Sequence, residues 1–283
     1  MAPTTIRKAI GAVKDQTSIG IAKVAGNMAP ELEVAIVKAT SHDDDPASEK
    51  YIREIIQLTS YSHGYVSACV LAVSKRLGKT RDWIVALKCL MLVHRLLNEG
   101  DSVFQREIMY ATRRGTRLLN LSDFRDEAHS SSWDHSAFVR TYALYLDQKL
   151  DLMAYERKLG GNGGEIERFG DSREEPSRDV ITPLREMKTE RIFGKMGHLQ
   201  RLLDRFLSCR PTGLAKNERM ILVALYTIVK ESFKLYADVC EILAVLLDRF
   251  FDMEFEKRTR KGVGGFLPNA HIRGEFELKE KEC

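Results

Sequence analysis

The sequence predicts an all-α protein, whose serially joined helices could stack as an α-solenoid. Apolar residues recur at three- and four-residue steps through most long segments. No segment shows the apolar–polar alternation of a half-buried strand. The helical segments also follow one another through short connections, the arrangement that lets helices stack serially. With 283 residues, 44% hydrophobic and 30% charged, the chain has the composition of an ordinary globular protein with a large core.

The first element is Thr4 to Asp15. At 100° per residue, Ile6, Ala9, Ile10 and Val13 fall within an arc of about 100°. Arg7 and Lys14 lie along one flank of the arc and Lys8 further round. Residues 1–30 carry Arg7, Lys8, Lys14 and Lys23 against the single Asp15, and form an N-terminal basic amphipathic segment. Such a helix either docks on its own protein as a first core helix or lies in a membrane interface with its cations on anionic headgroups. Composition leaves both open.

A second helix ends at VAIVK, with Lys38 at its end, and the acidic loop SHDDDPASE follows. Lys50-Tyr51 then opens a helix that continues to Leu77, marked by Ile52, Ile55, Ile56, Tyr65, Val66, Val70 and Val73. In KTRDWIVALKCLMLVHRLLNEGD, Thr80 is the expected N-cap and Asp82 sits near the positive end of the dipole. Trp83, Leu87, Leu90, Met91, His94 and Leu97 carry the rhythm to a stop at Gly100, and the segment is apolar on most sides, so it should be a central helix. A further helix starts near Ser132 or Asp134, with Phe138, Tyr142, Tyr145, Leu146 and Leu150 on one side. Met187 to Leu207 and Glu218 to Phe251 are the last two. Residues 159–183, rich in Gly, Ser and charge, are expected to form a flexible loop. Residues 254–283 lack a sustained helical face and read as a frayed tail.

The formal net charge of +4 suits a local anion-binding face and falls short of a dedicated nucleic-acid binder, so no nucleic acid is expected as a partner. Cys69, Cys89, Cys209 and Cys240 sit in apolar helical patterns and Cys283 is terminal. No C-x-x-C pair points to zinc or redox chemistry, and core cysteines of a reducing compartment are expected. The start lacks the apolar core of a secretory signal, and no run of about 18 apolar residues could cross a bilayer. G-x-S-x-G, G-x-x-x-x-G-K-[ST] and H-E-x-x-H are absent, GGNGG follows no strand, and the seven histidines are scattered without metal-ligand spacing. The chain is therefore expected to be no enzyme and to need no cofactor or metal.

VAIVKATSHDDDPASEKYI, WIVALKCLMLVHRLLNEGD, RRGTRLLNLSDFRD and SSWDHSAFVRTYALYLDQKL, in this order, resemble the ANTH domain of the clathrin assembly proteins, most of all its plant members. The resemblance runs from about Ile6 to about Met253 and suggests a domain of residues 31–253. It implies a curved superhelical stack (an α-solenoid) of antiparallel helices that binds phosphatidylinositol 4,5-bisphosphate on the cytoplasmic face of the plasma membrane, without catalysis, and brings clathrin and adaptors to budding membrane. Coated pits and vesicles, and the Golgi apparatus, are the implied locations, and vesicle SNAREs are implied cargo. The family's N-terminal amphipathic helix enters the bilayer surface, which favours the interfacial reading of Ile6, Ile10 and Val13, with Arg7, Lys8, Lys14 and Lys23 adding diffuse attraction.

The family's headgroup motif is K-x9-K-x-[KR]-[HY]. Lys38 matches its first position, and Lys50 and Tyr51 its last two, while the middle lysine is replaced by Ser48. Two amines can converge on one phosphorylated ring if the loop folds back between them. At roughly 1 kcal/mol per basic residue near an anionic surface, the missing lysine costs about fivefold in affinity, and Asp43, Asp44, Asp45 and Glu49 weaken the local field further unless they point away. The resemblance stops near Met253, and no DPF, NPF or clathrin-box motif follows, so a short form with an atypical end is expected. A protein-binding helical scaffold without specific lipid binding is the alternative reading.

Overall fold

The computed structural model describes residues 4–24, 29–114, 117–129, 132–160 and 183–250. Nearly all of the loop expected at 159–183, and all of the tail expected at 254–283, lie outside the described residues. Within them the chain is helical with no strand: α1 Thr4–Val24, α2 Pro30–Ala39, α3 Glu49–Thr59, α4 His63–Lys79, α5 Trp83–Glu99, α6 Val103–Arg113, α7 Trp133–Gly160, α8 Thr189–Ser208 and α9 Arg219–Asp248. Short 3-10 turns at Leu184–Glu186 and Gly213–Asn217 precede α8 and α9.

Each helix packs on the next in sequence. Contacts also join α2 to α4, α3 to α5, α4 to α6 and α5 to α7. That near-neighbour pattern is what a serial helical stack produces. Three-residue links at 60–62, 80–82 and 100–102 turn the chain back each time.

The structure corrects several boundaries. The segment from Lys50 to Leu77 is two helices, because Ser62 caps a new one by accepting from Tyr65 N at 3.4 Å. The apolar rhythm passes through residues 60–62 unbroken, so periodicity alone did not mark the break. Asp82, not Thr80, caps α5, its carboxylate accepting from Ile84 N at 2.9 Å. Thr80 ends α4 and its hydroxyl accepts from Asp82 N, which turns the aspartate into the cap position. Helix α1 continues to Val24, past Asp15. Cys69, Cys89 and Cys209 are buried, whereas Cys240 is exposed on the outer side of α9.

Helix α5 is the axis of the stack. Only Met91, Arg95, Asn98 and Glu99 escape burial along it, and it meets α3, α4, α6, α7 and α9. Its polar group His94 is buried, with Nδ1 at 2.8 Å from the Tyr142 hydroxyl and Nε2 at 2.9 Å from a Glu231 carboxylate oxygen. Lys149 and Tyr145 of α7 also donate to Glu231, at 2.5 and 2.7 Å. Burial pushes the Glu231 carboxyl up, but the donors from His94 and Lys149 outweigh it and hold it well below the usual carboxylate range. Burial lowers the His94 pKa. One carboxylate thus fastens α9 to both α5 and α7.

Glu231→Gln leaves the Lys149 ammonium beside a neutral amide. A loss of about 3 kcal/mol in denaturant-unfolding free energy is expected, since removing one member of a buried pair strands the other charge. A loss below about 1 kcal/mol would show that α9 is held by apolar packing alone.

Candidate functional site

The connection between α2 and α3 is built around a lysine that comes from neither helix. Lys88 of α5 has no exposed side-chain surface, and its ammonium reaches Asp43 Oδ1 at 2.5 Å, the Asp43 carbonyl at 2.9 Å and the Ser41 hydroxyl at 3.3 Å. Ser41 in turn donates to Asp43 Oδ2 at 2.6 Å. Burial raises the Asp43 pKa, and the hydrogen bonds from Lys88 and Ser41 overcome it, so the carboxyl titrates below its ordinary value. A lysine this deep is tolerated only where acceptors satisfy all its protons. Here the loop itself supplies them, so the loop cannot move without stranding a charge.

The remaining carboxylates are each engaged. Asp44 pairs with Lys8 at 2.9 Å, Asp45 with Arg219 at 3.2 Å, and Glu49 with Arg95 at 2.9 Å and Arg53 at 3.5 Å. The negative field expected from this loop is therefore largely cancelled by cations from α1, α3, α5 and α9.

Lys38 is exposed in the last turn of α2, where a cation suits the helix dipole, and Lys50 is exposed in the first turn of α3. Half-buried Tyr51 packs against the core and stands between them. The Lys38 amine lies 5.2 Å from the centre of its ring and the Lys50 amine 5.9 Å, so their separation cannot exceed the sum of those two lengths. Both are at cation–π range. Ser48, in place of the motif's middle lysine, occupies the N-cap of α3 but makes no side-chain capping hydrogen bond. Two ammonium groups beside a helix N-terminus, with adjacent carboxylates paired elsewhere, form an arrangement that can accept a phosphate.

Helix α1 crosses the same loop and docks by its polar edge. Asp15 is buried: it accepts from His42 N at 2.8 Å and Arg76 at 2.8 Å, and its Oδ1 lies 2.8 Å from His42 Nδ1. Burial raises the Asp15 pKa, while the hydrogen bonds from His42 and Arg76 bring it below the ordinary value. Gly11 allows the approach, since a Cβ there would stand 2.6 Å from His42 Cβ. Gly11, Asp15 and Ala22 face inward, at helical spacing. Ile6 and Ile10 are 50% exposed and Val13 66%, and Ile21 and Val24 continue the outward row. Of the supporting cations, Arg7 is half-buried, Lys8 is paired with Asp44, and Lys14 and Lys23 are exposed.

Sequence reasoning missed Lys88, Asp15, His42 and Arg76 as site-building residues. A lysine inside the apolar run of α5 was a signal for the first. An acid on the small-residue edge of α1 was a signal for the second. Among the described residues no group of three or more His, Cys, Asp or Glu could hold a metal ion, and no helix is long and apolar enough to cross a membrane.

Asp43→Ala leaves the Lys88 ammonium with neutral acceptors only. The expected cost is about 3 kcal/mol in denaturant unfolding. Replacing Lys88 by Met as well should recover part of that loss, because the stranded charge is removed. A double variant no more stable than Asp43→Ala would contradict this account of the loop.

Comparison with known proteins gives a consistent answer. Residues 31–261 match the ANTH domain. The chain is 66% identical over 295 residues to an Arabidopsis thaliana protein named "Probable clathrin assembly protein At4g32285", covering 89% of this chain and 46% of that protein. It is 42% identical over 272 residues to the Clathrin coat assembly protein AP180 of the same organism, covering 90% of this chain and 41% of that protein. The chain thus spans less than half the length of these relatives. With a match over residues 31–261, most of its length, and an all-helical stack, the chain belongs to the ANTH domain family.

Proposed function

We propose that this chain is a phosphoinositide-binding peripheral membrane module that supports clathrin coat assembly and endocytosis. The headgroup would sit on Lys38, Lys50 and Tyr51, and the outward edge of α1, with Ile6, Ile10 and Val13, would enter the bilayer interface. The observation that carries the reading is the pair of lysine amines brought to one tyrosine ring while the acidic loop between them is neutralised. Clathrin, its adaptors and vesicle SNAREs are the partners that family membership suggests. The setting would be the cytoplasmic face of the plasma membrane, coated vesicles and the Golgi.

Magnitudes support a two-part attachment. Two lysines near an anionic surface contribute roughly 2 kcal/mol, too little alone. Burying two isoleucines and a valine from full exposure contributes on the order of 5 kcal/mol, and about half of that remains available for side chains already half covered. Helix α1 is already formed and clamped through Asp15, so much of its ordering cost is met on folding and does not fall on membrane binding. Headgroup contact and apolar insertion together give stable anchoring where either one fails.

A second reading, a protein-binding scaffold, is favoured by one feature. Leu222, Tyr226, Val229, Phe233 and Tyr236 form an exposed row along α9. Sedimentation with liposomes separates the two readings. Lys38→Glu with Lys50→Glu should abolish capture by vesicles containing phosphatidylinositol 4,5-bisphosphate and leave helical circular dichroism unchanged. Retained capture, or equal capture by vesicles lacking that lipid at physiological salt, would favour the scaffold. In the same assay Ser48→Lys should raise affinity about fivefold, by one added cation. A change under twofold would place position 48 outside the headgroup's reach.

A further inference from the structure

Helix α9 is the last described helix and packs through one side on α8, α5 and the two 3-10 turns. Ile221, Ile228, Leu235 and Ile242 are buried on that side. The opposite side carries the exposed apolar row, which runs on past Tyr236 through Cys240 and half-buried Leu243 to Leu247. From Leu222 to Leu247 the steps alternate between four and three residues without a break. Such a strict alternation is the seam of a helix that pairs with one other helix, narrower than the face a helix turns to a globular core.

The seam is large enough to matter. Tyr226, Phe233 and Tyr236 are 71, 73 and 72% exposed and together offer on the order of 400 Å². An apolar patch of that size on one helix marks a contact surface. With Leu222, Val229 and Leu247 added, a copy contributes roughly 600 Å², so two copies would bury about 1,200 Å², the lower end of specific protein interfaces.

The row is also complementary to itself. Turned end for end about the midpoint between Lys234 and Leu235, it matches position for position. Leu222 then meets the partner's Leu247, Tyr226 the partner's Leu243, Val229 the partner's Cys240, and Phe233 the partner's Tyr236. A two-fold interface requires this reciprocity. Charge selects the direction. The flank beside the seam carries Lys230 and Lys234 in its first half and Glu241 and Asp248 in its second, all exposed. Antiparallel pairing lays that flank on the partner's own flank, with Lys230 about 3 Å along the axis from the level of the partner's Glu241. Parallel pairing sets each charge level with its own copy, so like meets like.

We propose that α9 is a self-association surface, through which two copies of this chain pair as an antiparallel, two-fold helix pair. The inference is independent of the headgroup reading, because the surface contains none of Lys38, Lys50 and Tyr51 and its test needs no lipid.

Sedimentation equilibrium of the intact chain should show the mass pass from one copy to two between about 1 and about 100 μM, the range suited to an interface of this size. Phe233→Glu with Tyr236→Glu should raise that midpoint at least about tenfold and leave helical circular dichroism unchanged. Covalent trapping tests the register. In a chain carrying Cys283→Ser, Cys240 is the exposed cysteine, since Cys69, Cys89 and Cys209 are buried. Val229→Cys adds a second cysteine about 16 Å away on the same helix, too far to bridge within one chain. Across the antiparallel pair the two positions are level, so mild oxidation should give a disulfide-linked dimer, lost again with Cys240→Ser. Without Val229→Cys the Cys240 residues of the two copies stand about 16 Å apart and should stay unlinked. A wild-type chain that remains monomeric at about 100 μM overturns the proposal and leaves the seam to a helix of another protein. Association that survives Phe233→Glu with Tyr236→Glu, or a Val229→Cys chain that gives no covalent pair, overturns it as well. Vesicle capture by Lys38→Glu with Lys50→Glu bears on the headgroup reading alone.

Discussion

A buried ammonium group sets the position of everything around the candidate site. Lys88 belongs to the central helix, yet its charge is satisfied by Ser41 and Asp43 in the loop between α2 and α3. Removing a lysine from water is costly, and only a closed set of acceptors offsets it. The loop is thus pulled down onto α5, the end of α2 and the start of α3 are brought near each other, and the two lysines at those ends reach one tyrosine ring. Stability and site geometry depend here on the same contact.

The same economy of charge governs α1. An amphipathic helix beside a protein body ordinarily buries its apolar edge. Here a buried carboxylate, held by His42 and Arg76, fixes the helix by its polar edge, and the apolar residues point outward. This docking also leaves a cleft between α1, α2 and α4, because α1 is held along a line of small residues. Asp43, Asp44 and Asp45 tie the loop to α5, α1 and α9 respectively, so an acidic sequence yields a locally balanced surface.

Long helices were legible wherever apolar residues kept a three-to-four rhythm over several turns, as in α5, α7, α8 and α9. Their interruptions were harder to read. Residues 60–62 interrupt a pattern that hydrophobicity continues across, and the cap at Asp82 depends on a turn made by Thr80. Cys240 fits the apolar pattern of α9 but lies on its outer row, a matter of which face meets the stack. Lys38, Lys50 and Tyr51 could be named from their spacing and the family motif. Nothing in that spacing announced Lys88, forty-five residues beyond Asp43, or the clamp that Asp15 makes with Arg76.

By itself the sequence determined that the chain is helical and which helix lies at the centre, both of which follow from local periodicity. Lys38, Lys50 and Tyr51 were named through the resemblance to the family motif. Only the tertiary structure decided which face of α1 is covered and which cation answers each aspartate. These depend on side chains distant in sequence meeting at a few ångströms, and charge pairing at that range is set by how the helices stack.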